Sequence, residues 1–293
     1  MSEMVRFFLL QLTLIGVVLI LHTYLGLHII RRVLVFSDLA LAQLAALGAL
    51  IGVYLAFNYP DALARHHLDL EYGSVGSYVI SMLTVLIGAL LLSLVKPKSR
   101  LIPREAIIGI TYALALIASL MVTDKFAGGD AYMEKTLTGY MLWVNWKLVG
   151  VTVSVYIALL IFHYIFRRQF IAIAENPGEA KNIKLWDFFF FATQGIITVL
   201  IVPVAGVFLA FVFLMLPATV AVMFTRRWGL GLLLGWSVGF VACSLGLCAS
   251  YRIDWPYGPS LVISMGLFFF GAILIRSVMN RKKASANKAM NSN

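Results

Sequence analysis

Nine stretches of mostly apolar residues, parted by short polar gaps, run along the chain at 8–30, 33–57, 74–95, 105–123, 148–166, 186–203, 206–225, 229–250 and 258–275. Each approaches the roughly 20 apolar residues that cross about 30 Å of hydrocarbon. None alternates apolar and polar positions as a barrel strand does, and lipid cannot satisfy open backbone groups, so the stretches are expected to be helices. The pattern predicts an all-α, polytopic transmembrane helical bundle of about nine spans. The boundary at 203–206 is the least marked, because 186–225 is broken only by Pro203, Ala205 and Gly206. Forty residues at about 1.5 Å each reach roughly 60 Å, enough for two crossings and a tight turn. Eight spans with one re-entrant segment is the alternative. Residues 1–280 read as a single transmembrane domain and 281–293, RKKASANKAMNSN, as a basic, solvated tail.

Composition agrees, with 61% hydrophobic and only 12% charged residues, far from a soluble domain. Basic residues cluster in alternate gaps. If Arg31 and Arg32 are cytoplasmic, then 31–32, 96–104, 167–185, 226–228 and the C-terminal end beyond residue 275 hold seventeen of the 23 Lys and Arg residues. This asymmetry predicts the N-terminus outside and the C-terminus in the cytoplasm. The net charge of +10 then reflects topology and attraction to an anionic inner leaflet, with no nucleic-acid partner expected. No small-residue cleavage site follows the first apolar segment, so no cleavable signal peptide is expected. Cys243 and Cys248 are five residues apart on one helix, about 140° around its axis, and no disulfide is expected.

Against this apolar background a few polar residues carry information. Asp38 is the only acid placed well inside a span, about 9 Å beyond Arg32 by helical rise. Glu105 and Asp187 open their spans at the inner surface. A carboxylate at Asp38's depth costs several kcal/mol unless it is protonated, paired or facing water. It reads either as an inner-interface residue bonded near Ser37 or as part of a cation pathway. Gln43 follows near mid-depth among Ala40, Ala42, Ala45, Ala46, Gly48 and Ala49, small residues that let another helix approach. His22, in the first span, lies at about the depth of Gln43 in an antiparallel hairpin. Imidazole is a good ligand for zinc, manganese or iron, though a membrane histidine more often serves as a hydrogen-bonding core residue. His28 is in the same span, and His163, close to Arg167, suits the interface. Outside, His66, His67, Asp69 and Glu71 crowd into six positions: metal-capturing groups at a channel mouth, or simply a solvated loop.

The longest inner gap, 167–185, contains a Pro177-Gly178 turn, and 179–182 could form a short surface helix suited to docking a partner. Together, four blocks resemble the permease subunit of bacterial ABC transporters for zinc, manganese or iron, the ABC-3 family, over nearly the whole chain. They are Gly26-x-His28-x-x-Arg31-Arg32 with Phe36-Ser37-Asp38 to Gln43 and Gly48; Glu105-Ala106 to Gly109; Trp186-Asp187 through Gly206-Val207 to Leu216-Pro217-Ala218; and Gly246 through Ser250-Tyr251-Arg252-Ile253-Asp254-Trp255-Pro256 to Pro259.

The resemblance implies a permease homodimer in the bacterial inner membrane, two cytoplasmic ABC ATPase subunits and a periplasmic metal-binding protein. It implies that Glu175, Pro177, Glu179, Ala180 and Asn182 belong to the loop that couples to the ATPase. It makes Asp38, Gln43 and His22 the candidate translocation pathway. The cargo would be a divalent metal ion, with no cofactor bound by this chain and ATP held by the partner. Consistently, no Gly-x4-Gly-Lys-Ser/Thr phosphate loop occurs.

Two departures stand out. Many relatives carry an aspartate and a histidine four residues apart in the second span, whereas here that place is Ala42 or Gln43. The glycine expected after the coupling loop's Glu-Ala pair is missing, and Asn182, tolerant of left-handed backbone, stands in. A membrane enzyme is disfavoured, since no His-Glu-x-x-His occurs and the intramembrane histidines lack an obvious serine partner in sequence. A gradient-driven secondary carrier lacks its usual repeated halves and several buried acids, and is kept as the alternative.

Overall fold

The computed structural model describes residues 3–94, 103–139, 144–175 and 181–290. Those residues form helices α1 (Glu3–Arg32), α2 (Ser37–Asn58), α3 (Pro60–Arg65), α4 (Val75–Leu94), α5 (Arg104–Thr123), α6 (Gly129–Thr138), α7 (Trp146–Ile165), α8 (Arg167–Glu175), α9 (Ile183–Phe224), α10 (Trp228–Ile253) and α11 (Tyr257–Met290). Among the described residues, eight of these helices are long and apolar enough to cross a membrane. The short helices α3, α6 and α8 lie in the gaps. Of the short surface helix expected at 179–182, residues 179 and 180 lie outside the described residues; the helix observed in that gap is α8, whose Phe170, Ile173 and Ala174 are buried. Helix α11 continues as far as Met290, into the segment expected to be a basic, solvated tail.

At the centre stands α9, the most buried of the long helices, with 72% of its most apolar window inside against 17% for α11. It is broken at Gly206, where φ is 77° and ψ 166°. Near its start Asp187 joins Arg32, and just beyond its end the Arg226 carbonyl accepts from Arg31 at 2.6 Å. Gly206 itself packs on Gly139 and Leu137, beside Gly258. Both ends of α9 therefore meet the arginine-rich end of the bundle while its break touches the opposite end, so the two halves run antiparallel. Pro203 withholds one amide from the helix just before the break. A Cβ at Gly206 would run into the Gly139 backbone, and the positive φ is one that residues with a Cβ avoid.

The small residues of α2 do what membrane packing asks of them. A Cβ at Gly48 would sit 2.5 Å from the Ser81 Cα of α4, and the Thr84 hydroxyl of α4 donates to the Leu44 carbonyl of α2 at 2.9 Å. Close backbone approach of this kind replaces the hydrophobic drive that is missing between helices in lipid. Cys243 and Cys248 are both free thiols, the first buried and the second exposed.

Candidate translocation site

Helix α2 begins at Ser37, whose hydroxyl donates to the Leu34 carbonyl at 2.7 Å. Asp38, next in the chain, is 1% exposed and therefore turns away from the surface. Its Oδ1 accepts a 3.2 Å hydrogen bond from Gln194 Nε2 of α9, 156 residues away. The Thr198 hydroxyl is near the same carboxyl but gives its one proton to the Gln194 carbonyl at 2.8 Å. Asp38 Oδ2 and Gln194 Oε1 are left buried and without a hydrogen-bond partner among the described residues. Two bare oxygens of this kind are what a hard cation ligates.

His22 of α1 approaches the same region. Its Nδ1 lies 3.0 Å from the Val18 carbonyl; a carbonyl only accepts, so Nδ1 carries the proton and Nε2 presents the lone pair. Tyr156 of α7 stacks on the imidazole with ring centroids 5.9 Å apart and is close enough to Asp38 to feel its charge. Gln43 goes elsewhere: its Nε2 donates to Ser119 Oγ of α5 at 3.1 Å, on the far side of α2 from Gln194. The structure thus groups Asp38, Gln194, Thr198, Tyr156 and His22, and leaves Gln43 on the α2–α5 contact with its own bare Oε1.

Seven residues before Gln194, toward the arginine-rich end, is Asp187. Rather than opening a span at the surface, it is fully buried. It pairs with Arg32 and, at 3.1 Å, with Arg104 of α5. Both guanidinium groups also lie over aromatic rings, Arg32 at 4.8 Å from Phe190 and Arg104 at 5.2 Å from Phe191. Sequence reasoning missed Gln194, Thr198, Tyr156, Ser119 and this ion cluster. A lone glutamine after Phe188–Phe191 was the one available signal.

The residues assigned to the inner loop divide. Glu175 closes α8, and its carboxylate accepts from Arg31 and from Trp228 Nε1, each at 2.8 Å. Arg31 in turn lies 3.7 Å over the Trp228 ring. Asn182 adopts the left-handed backbone at φ 52° and caps α9. Pro177, Glu179 and Ala180 lie outside the described residues.

On the opposite end, His66, His67, Asp69 and Glu71 are exposed. Asp69 accepts from the Glu71 backbone amide at 2.9 Å, and no group of three or more His, Cys, Asp or Glu gathers among the described residues. One cavity at this end is lined by Tyr72, Lys135, Asn145 and Pro203, with a volume of about 270 Å³. Burial pushes the Tyr72 hydroxyl up to about 12, so it stays protonated, with Lys135 Nζ 4.8 Å from its ring.

The family model of the ABC 3 transport family matches residues 2–276. The chain belongs to the ABC 3 transport family. It is 27% identical over 203 residues to the chelated iron transport system membrane protein YfeD of Yersinia pestis, covering 67% of this chain and 68% of that one. It is 24% identical over 204 residues to the manganese import system permease protein ScaB of Streptococcus parasanguinis, covering 68% and 71%. The solved structure of PsaBC from Streptococcus pneumoniae in complex with Fab superposes with a TM-score of 0.69 at 20% identity, over 92% of this chain and 91% of that one. At that identity the likeness concerns the fold.

Proposed function

We propose that this ABC 3 family chain is the membrane-spanning permease subunit of an ATP-driven importer for a divalent transition metal ion: zinc, manganese or iron. A separate cytoplasmic ABC ATPase hydrolyses ATP, a periplasmic binding protein delivers the metal, and two permease copies form the path in the bacterial inner membrane. The family match and the names of the relatives support the transport class. The observation that carries the pathway is Asp38, whose buried Oδ2 has no partner among the described residues and whose Oδ1 accepts from Gln194, a residue with a bare oxygen of its own.

Asp38 and Gln194 supply oxygen ligands, His22 Nε2 a nitrogen, and Tyr156 holds the imidazole in place. Arg32, Asp187 and Arg104 form a closed, net-positive plug on the exit side. A cation held at Asp38 meets two guanidinium groups below it, and this state is therefore shut toward the cytoplasm. Glu175, with Pro177, Glu179, Ala180 and Asn182, makes the contact that transmits motor movement. Arg31 and Arg32 are consecutive: one is tied to α8, the other to the plug, so displacement of α8 pulls on both. The antiparallel halves of α9 support nine crossings, with the N-terminus outside and the C-terminus inside.

Uptake of radioactive manganese, zinc and iron into cells carrying the whole transport operon tests the reading. Asp38→Ala should abolish uptake of one metal with the protein still in the membrane. The gradient-driven alternative is separated by energy source: uptake that survives ATP depletion but collapses with the proton gradient would replace the ABC reading.

A further inference from the structure

Between α8 and the start of α9, at the arginine-rich end, lies a cavity of about 360 Å³ lined by Arg168, Gln169, Ala172, Lys181, Asn182 and Trp186. Five of these six side chains carry a nitrogen donor, two of them cationic, and no acid joins them among the described residues. The cavity is separate from the path through Asp38. Its volume is about twelve times the roughly 30 Å³ that one water takes up in the liquid.

These donors have nothing to give to within the protein. Arg168 and Lys181 have no ion-pair or hydrogen-bond partner among the described residues, and the indole Nε1 of Trp186 has no acceptor there either. Asn182 makes no side-chain cap on α9. The acids of the two flanking helices are already engaged. Glu175 of α8 serves Arg31 and Trp228, and Asp187 of α9 serves Arg32 and Arg104. Arg168, Lys181 and Asn182 are exposed, so a ligand reaches them without any rearrangement. Trp186 is held by the rings of Phe166 and Phe170, with centroids 5.3 and 5.6 Å away.

A donor set of this kind asks for an anion with several oxygens. A carboxylate offers two. A phosphate group offers more, arranged so that a guanidinium fork takes two while an ammonium and an indole or amide take the others. The depth agrees: α7 ends at Ile165 and α9 begins at Ile183, so the cavity is level with the ends of two spans, where phospholipid phosphates lie. Ile165 and Leu185, close by in the chain, are exposed apolar side chains.

We propose that this cavity binds a phosphate group, held between Arg168 of α8 and Lys181 at the start of α9. A phospholipid headgroup and soluble phosphate present the same oxygens, and either one bridges the two helices that bound the longest inner gap.

The test uses the full chain in neutral detergent and reads binding alone, so it stands apart from the transport reading. The site variant is Arg168→Gln with Lys181→Gln. The control is Arg281→Gln with Lys282→Gln, which removes the same charge from exposed positions on α11. In one arm, native mass spectrometry compares retention of phosphatidylglycerol with that of phosphatidylcholine. In the other, the thermal midpoint is measured in inorganic phosphate against chloride at equal ionic strength. The site variant should lose about tenfold in preference for phosphatidylglycerol, as a lost charge-assisted contact requires, and the control should keep it. Loss in the lipid arm alone assigns the phosphate to a headgroup; loss of a phosphate-dependent midpoint shift assigns it to a soluble anion. If the site variant matches the wild type in both arms, or the control loses as much as the site variant, the proposal is overturned. Should the double variant fail to fold, Lys181→Gln alone should still lose about threefold, and no loss there overturns the proposal as well.

Discussion

Arg32 and Asp187, 155 residues apart in the chain, meet as a buried ion pair in which the carboxylate has no exposed surface. Arg104 completes the cluster from a third helix. The arrangement ties α1, α5 and α9 together at one end of the bundle, directly below the Asp38–Gln194 contact. A buried charge that loses its partner is expensive. Asp187→Leu leaves two guanidinium groups facing one another and should destabilise the protein by about 3–5 kcal/mol. A lowered thermal midpoint in detergent checks this, and the charge-exchanged pair Arg32→Asp with Asp187→Arg should recover part of the loss. An unchanged midpoint in Asp187→Leu would show that the cluster does not hold the helices.

The carboxylate at Asp38 is expected to matter for its charge rather than its shape. Asp38→Asn preserves volume and can still bond Gln194, yet metal uptake should fall by more than about tenfold, the loss of one charge-assisted ligand contact. Gln194→Leu removes the donor to Oδ1 and one bare oxygen together, and should lower uptake less steeply. Initial rates of radioactive metal uptake, normalised to membrane protein level, distinguish the two.

Gly206 occupies a left-handed turn pressed on Gly139. Gly206→Val adds both a forbidden backbone region and a clash with backbone that cannot rotate away. A cost of at least about 2 kcal/mol follows from the left-handed penalty and the overpacking combined. The yield of monodisperse protein and its thermal midpoint should both fall. Gly150→Ala, with open space around its Cβ, is the matched control.

The antiparallel halves of α9 can be read chemically. With Cys243 and Cys248 replaced by alanine, single cysteines at Lys184, Arg226 and Lys135 should divide into two classes. A membrane-impermeant thiol reagent should label the Lys135 position in intact cells and the other two only after lysis. Labelling of Lys184 and Arg226 from opposite sides would reduce α9 to one crossing.

Helix positions and the class of protein were legible because lipid imposes a crude rule, about 20 apolar residues per crossing, and because a charge in that background is conspicuous. Asp38 was found that way. Its partner was not, since Gln194 reads as one polar residue in an apolar run until α9 lies against α2. The same holds for Asp187, which looks like a surface acid beside Trp186 and becomes a buried one only because Arg32 and Arg104 arrive from elsewhere in the chain. Gln43 shows the same dependence on packing: its depth was legible, but that its side chain reaches Ser119 of α5 was not.

Hydropathy and charge asymmetry, which act residue by residue against a uniform solvent, determined by themselves that this chain is a helical membrane protein. The short blocks from Gly26 to Pro259 carried its family. Tertiary structure alone decided which polar groups share a site, because that depends on how helices rotate and approach, down to single glycines such as Gly48 and Gly206. Hydrogen-bond direction is decided at the same level: His22 Nδ1 carries the ring proton because its neighbour, the Val18 carbonyl, can only accept.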